Sequence, residues 1–209
     1  MSQEIEWNDF SKQDSNKSKD KIRTLRLTER EDPYVVRLVG KPVKVNKYFV
    51  AGRSAICADP ETCTVRGKYG IEPSVRYSIN IIDRADGLIK LIEVPPTVLK
   101  PAAAWGKARK SAQNPNGIDP GGDVGPDFSI TVTGQKKNTR YEVVALDPTP
   151  LTPQEKEYIK KSAYDLSKLN KPTPDNEIEE KLFGKKEDKK AEAPASPAEK
   201  SEADAELPF

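Results

Sequence analysis

Residues 75–94 read VRYSINIIDRADGLIKLIEV. Two runs rich in β-branched and aromatic side chains flank Arg84, Ala85, Asp86 and Gly87, and Asp-Gly supplies the backbone freedom that a tight reversal needs. The stretch reads as a β-hairpin. Alternation places Tyr77, Ile79 and Ile81 on one side of its first strand, and Arg76, Ser78, Asn80 and Arg84 on the other. Upstream, YVVRLVG (34–40) and KPVKVNKYFV (41–50) are two further extended runs, split by Gly40 and Pro42. In the second run Val43, Val45 and Phe49 share the apolar face, and Lys44, Asn46 and Tyr48 share the polar one. Residues 51–74 read as a long loop or a small insertion.

Downstream, PPTVLKPAAAWGKARKSA (95–112) reads as a helix started or broken by its prolines. The glycine-rich NPNGIDPGGDVG (114–125) reads as a flexible surface loop, and the basic turn QKKN (135–138) joins the strands DFSITVTG (127–134) and TRYEVVAL (139–146). An amphipathic helix fits 152–168, because Thr152 followed by Glu155 three residues later forms a capping box; a second short helix fits 174–183. About six short strands with one inserted helix favour a small closed or partly closed barrel. The expected fold is mainly β: an OB-fold-like barrel of five to six strands with an inserted helix, C-terminal helices and disordered termini. Another β-rich α+β fold is the alternative. The expected layout is a flexible arm (1–22), the OB-type core (23–150), a helical extension (151–184) and a disordered acidic tail with an apolar tip (185–209).

The chain is polar, 35% hydrophobic and 33% charged, yet its apolar residues gather between positions 23 and 147, so a core can form there. No apolar run approaches the roughly 18 residues of a membrane span, and MSQEIEWNDF lacks a signal peptide's apolar stretch, so a cytosolic protein without membrane contact is expected. Net charge is +2 and unevenly spread: residues 191–209 hold five acidic side chains against Lys200, which leaves +6 on residues 1–190. A basic body attracts polyanions, and an acidic tail competes with them.

Enzymatic chemistry is disfavoured. The chain has no histidine, which removes the commonest general base and most catalytic zinc sites. The glycine-rich loop lacks the Lys-Ser/Thr of a phosphate-binding loop and leads into a strand. Cys57 and Cys63 make half of a structural zinc site, with no second pair to complete it, so neither a metal nor another cofactor is expected.

What recurs is cations beside aromatics on extended segments: Lys44 and Lys47 with Tyr48 and Phe49, Arg66 and Lys68 with Tyr69, Arg76 with Tyr77, Arg140 with Tyr141. Trp105 stands among Lys107 and Arg109, and Arg37, Arg53, Arg84, Lys136 and Lys137 add further cations. Single-stranded nucleic acid demands this pairing, since cations replace the phosphates' counterions and exposed bases stack on flat rings. By phase, Phe49 and Tyr77 read as core residues, whereas Tyr48 beside Lys44 reads as a contact residue.

YVVRLVGKPVKVNKYF, RYSINIIDRADGLIKLIEVPPTVLK, GIDPGGDVGPDFSITVTG and TRYEVVALDPTPLT together resemble the single-stranded-DNA-binding, helix-destabilising proteins of tailed bacteriophages. The resemblance covers residues 30–155 and implies an OB-fold core that coats single-stranded DNA with little sequence preference during replication, recombination and repair. It also implies that the basic and aromatic residues of KVNKYF, RGKY, VRYS and TRYE contact DNA. Members often insert a cysteine-rich zinc element where ICADPETCTVRGKYG falls, but here the ligands are too few. Single-strand-binding proteins end on acidic tails, the bacterial ones on Pro-Phe, and SEADAELPF is similar. The resemblance therefore implies that Asp204, Glu206, Leu207, Pro208 and Phe209 recruit replication or recombination proteins. Trp7 and Phe10 in the arm can dock on the body or on a neighbouring molecule, which would allow self-association on DNA. Two other functions fit the pattern: an RNA-binding or transcription-associated OB module, and a replication or recombination adaptor without nucleic-acid affinity.

Overall fold

In a computed structural model, residues 22–112, 114–135 and 138–184 are described. In chain order they form β1 (Thr24–Leu25), β2 (Tyr34–Val50), β3 (Arg53–Cys57), α1 (Thr64–Tyr69), β4 (Ser74–Asp83), β5 (Ile89–Val94), α2 (Pro96–Lys107), β6 (Pro126–Thr133), β7 (Arg140–Pro148), α3 (Pro153–Ser162), α4 (Leu166–Leu169) and α5 (Asp175–Phe183). The seven strands make one sheet in the order β1-β5-β4-β2-β6-β7, with β3 paired to the far half of β2. All pairings are antiparallel except β1 with β5.

The hairpin of residues 75–94 is present as β4 and β5, with Ile82 opposite Ile89. Gly87 sits at φ 69° and donates its N–H to the Asp83 carbonyl at 2.7 Å, closing the turn. The two upstream runs are one strand, not two. β2 is continuous across Gly40 and Pro42 because an irregularity between Val39 and Val43 absorbs them: β2 advances four residues there while β4 advances two. Gly40, at φ 70°, donates to the Gly121 carbonyl at 2.9 Å, and a β-carbon on Gly121 would collide with the Gly40 carbonyl oxygen. The glycine-rich loop is therefore packed against the bulge of β2, a correction to its reading as a free surface loop.

The sheet curls into a half-barrel around one core. Tyr34, Val36 and Leu38 of β2, Ile79 and Ile81 of β4, Ile92 and Val94 of β5, and Phe128, Ile130 and Val132 of β6 share it. Leu25 and Leu27 pack against it from the β1 end, and Tyr141, Val143 and Ala145 from β7, so the first and last strands of the sheet's path face the same interior. Val98 and Ala102 of α2 are buried in this core. On the opposite face, Val39, Ile82, Ile89 and Leu151 form a smaller cluster under Tyr158 and Ile159 of α3.

Residues 51–74 are not a bare loop. They contain β3 and α1, which with the far half of β2 and with α5 enclose a third cluster of Tyr48, Ala55, Cys57, Cys63, Val65, Ile178 and Leu182. The capping box of α3 is present, Thr152 and Glu155 bonding reciprocally. The helix stops at Ser162, short of 168, because Ala163 turns extended. That turn lets the Tyr164 backbone N–H donate to Asn80 Oδ1 at 3.1 Å, while Asn80 Nδ2 donates to the Tyr164 carbonyl at 2.9 Å. Among the described residues, no helix is long and apolar enough to cross a membrane.

Candidate nucleic-acid interface

Beyond its bulge, β2 turns Val45, Lys47 and Phe49 to the face opposite the barrel interior. Register sets Arg76 of β4 beside Val45, and Ser54 of β3 beside Phe49. Phe49 is 51% exposed, a large value for a phenyl ring on a central strand. The Lys47 ammonium lies 5.5 Å and the Arg76 guanidinium 5.8 Å from its ring centroid. The ring thus lies within about 6 Å of two cations and is half open to solvent, the pairing of types that a base-stacking platform would need.

A groove of about 410 Å³ adjoins this platform. Lys47, Leu91, Glu93 and Val94 line it together with Thr24, Leu25, Arg26, Leu27 and Tyr141. A hollow of about 360 Å³ shares Leu27 and Tyr141 and runs on past Thr139, Gly134 and Gln135. Together they follow the seam between the β1–β5 side and β7. Glu93 stands in the groove, and its Oε2 accepts from Lys47 Nζ at 2.7 Å. Arg26 and Glu93 escaped the sequence reading. The alternation of RTLRLT (23–28), which sends Leu25 and Leu27 inward and Arg26 outward, is the signal that would have found Arg26.

The fold gathers only part of the residues expected at a binding site. Lys47, Phe49 and Arg76 come together on one face, and Tyr141 lies along the groove. Lys44 is exposed and Tyr77 half-buried, paired with each other on the reverse side of the same strands. Arg140, exposed at the start of β7, lies next to Tyr141. Trp105, Lys107 and Arg109 belong to the α2 region. There Trp105 meets Phe128 edge-on at 6.5 Å, and Arg109 stacks over the indole at 3.9 Å. Arg53 is exposed, its guanidinium against Gly184. Arg66 pairs with Glu72 at 2.9 Å and Lys68 with Glu179 at 2.8 Å, while Tyr69 stacks on Phe183 at 4.6 Å. These cations are engaged within the α1–α5 unit. Lys136 and Lys137, the arm's Trp7 and Phe10, and the tail residues Asp204, Glu206, Leu207, Pro208 and Phe209 lie outside the described residues.

Three expected contact residues serve the fold instead. Arg37 is fully buried. Its guanidinium donates to the carbonyls of Gly125, Thr149 (3.0 Å), Gly122 (3.2 Å) and Asp123 (3.2 Å), and Asp127 lies 3.8 Å away. Burial lowers its pKa, opposed by the Asp127 carboxylate. Arg84 bonds both oxygens of Asp127, at 2.8 and 3.0 Å, and Glu155 at 2.5 Å. Tyr48 is fully buried against Cys57 and Cys63, and among the described residues its hydroxyl has no hydrogen-bond partner of good geometry. Burial, and then the two thiols, push its phenol upward. Burial also pushes the Cys57 thiol up, to about 12, so it rests protonated.

No protein-family model matches the chain, and no curated protein matches its sequence.

Proposed function

We propose that this chain is a single-stranded-DNA-binding protein of the bacteriophage helix-destabilising class. It coats DNA without sequence preference during replication, recombination and repair, and it has no catalytic role. The half-barrel is read as an OB-type fold: β2 is the long bent strand that pairs at its start with both β4 and β6, and a helix enters between β5 and β6. The observation that carries the reading is Phe49, exposed between Lys47 and Arg76 and beside the seam groove. Phosphates would replace counterions on the cations while a base stacks on the ring.

The tail completes the proposal. Gly184, where the described chain ends, lies against Arg53 at the base of the β2–β3 turn, whose strand β2 carries Phe49. From there residues 185–209 would carry the acidic tail to the platform. It would screen the platform when DNA is absent and, once displaced, offer Leu207 and Phe209 to a replication or recombination protein.

The test is anisotropy of a labelled single-stranded oligodeoxynucleotide titrated with protein over a salt series, with duplex DNA and matched RNA as competitors. Binding should weaken steeply as salt rises. Phe49→Ala should weaken it about 5- to 150-fold, corresponding to about 1–3 kcal/mol for one stacked base. A chain truncated after Gly184 should bind more tightly at low salt. Preferential capture of RNA would transfer the site to an RNA-binding role. No binding by either full-length or truncated protein would leave an adaptor that acts through proteins alone.

A further inference from the structure

We infer that Glu93 is a built-in competitor for the DNA backbone, holding Lys47 closed until a phosphate displaces it. This rests on the nucleic-acid reading of the Phe49 face and adds a regulatory element to it. Lys47 and Glu93 make a close pair at 2.7 Å, their side chains 19% and 29% exposed. Among the described residues this is the one ion pair of Lys47, and Arg76, 5.8 Å from the centroid of the Phe49 ring, has none. The two cations flanking the platform are thus unlike. Among the described residues Arg76 has no carboxylate to leave when a polyanion arrives, whereas Lys47 already holds one in the groove.

The pair carries a specific thermodynamic signature. A lysine that neutralises a phosphate frees a cation condensed on the DNA, and each such contact steepens the log–log salt dependence of single-strand binding by about 0.7. When the lysine must first leave a carboxylate, rising salt also eases the opening of that pair by screening it, which offsets part of the slope. Lys47 then contributes to contact but less to salt dependence than an unpaired lysine would. Glu93, left unpaired in the groove, also repels the bound backbone. Short or weakly charged anions cannot open the pair, whereas a long strand already anchored at Arg76 can.

Glu93→Gln keeps the side chain's shape and removes its charge. It should tighten oligodeoxynucleotide binding about 2- to 5-fold, the range of a partly exposed ion pair, and steepen the salt slope by a fraction of the about 0.7 that one full phosphate contact contributes. In a Lys47→Met background the same Glu93→Gln change should no longer alter the slope and should keep only the smaller gain that comes from removing Glu93's repulsion of the backbone, because the rest acts through Lys47. Urea titration of each variant separates this from a purely structural pair. Lowered stability with affinity and slope unchanged would overturn the inference, even with wild-type binding intact. Absence of wild-type binding would instead remove the nucleic-acid reading beneath it.

Discussion

Tyr48 and Phe49 are adjacent in β2, and strand alternation sends them to opposite faces. Their chemistry predicts the reverse of what the fold does: the phenol, beside Lys44 and Asn46, reads as the wet residue and the phenyl as the dry one. In the structure Tyr48 is sealed under α1 and α5, and Phe49 is left outside. A buried hydroxyl without a partner forfeits the hydrogen bonds it had with water. Tyr48→Phe should therefore leave stability unchanged or raise it by about 1 kcal/mol in urea unfolding; a loss above that would show that the hydroxyl is held after all. Arg37 makes the same point with a charge. Nothing in YVVRLVG marks it as an internal clamp, because the four carbonyls it gathers come from residues 122–149, remote in the chain.

At the scale of elements, the β2–β3 hairpin shows how local signals fall short. The hydrophobic pattern after residue 50 is broken by ADPETC, and neither β3 nor α1 is long enough to announce itself. They hold because α5, nearly 120 residues downstream of β3, lays Ile178 and Leu182 into their cluster. An isolated helix the length of α5 is marginal in water, so docking makes it stable and the hairpin gains its cover. Leu182, 1% exposed, is the point of mutual dependence. Leu182→Ala should cost about 3 kcal/mol, and hydrogen exchange should speed up first in β3 and α1 while β4 and β6 stay protected. Uniform loss of protection would mean that the hairpin unit and the barrel core unfold together. By contrast, β4–β5 and α3 were legible, because their turn and capping signals lie within the elements themselves.

Across the whole molecule, one charge network binds the pieces together. Arg84, at the β4–β5 turn, reaches Asp127 on β6 and Glu155 on α3, fixing the helical extension to the sheet. Burial alone would raise the Glu155 carboxyl, but the Arg84 guanidinium and the Thr152 backbone and hydroxyl outweigh it and hold it below its usual range. A carboxyl lowered in the folded state stabilises it above the unfolded value, near pH 4.3, and that stability is lost as pH falls through the folded value. Thermal midpoints should accordingly drop below about pH 5. Glu155→Gln should lower the midpoint at pH 7 and flatten the acid limb; an unchanged acid limb would place the titration elsewhere.

From the sequence alone came the mainly β character, the β4–β5 and β6–β7 hairpins, the inserted helix, the capping box, the uneven charge and the cation–aromatic theme. Each rests on contacts between residues near one another in the chain, or on composition, which needs no contacts. Only the tertiary structure decided that β2 runs unbroken through Gly40, that the sheet curls into a half-barrel with α5 covering its β2–β3 arm, and which cations are engaged by carboxylates or carbonyls. Alternation sorts a strand's side chains into two faces, but which face is dry depends on what packs against it. For β2 that cover is α5, more than 100 residues away in the chain.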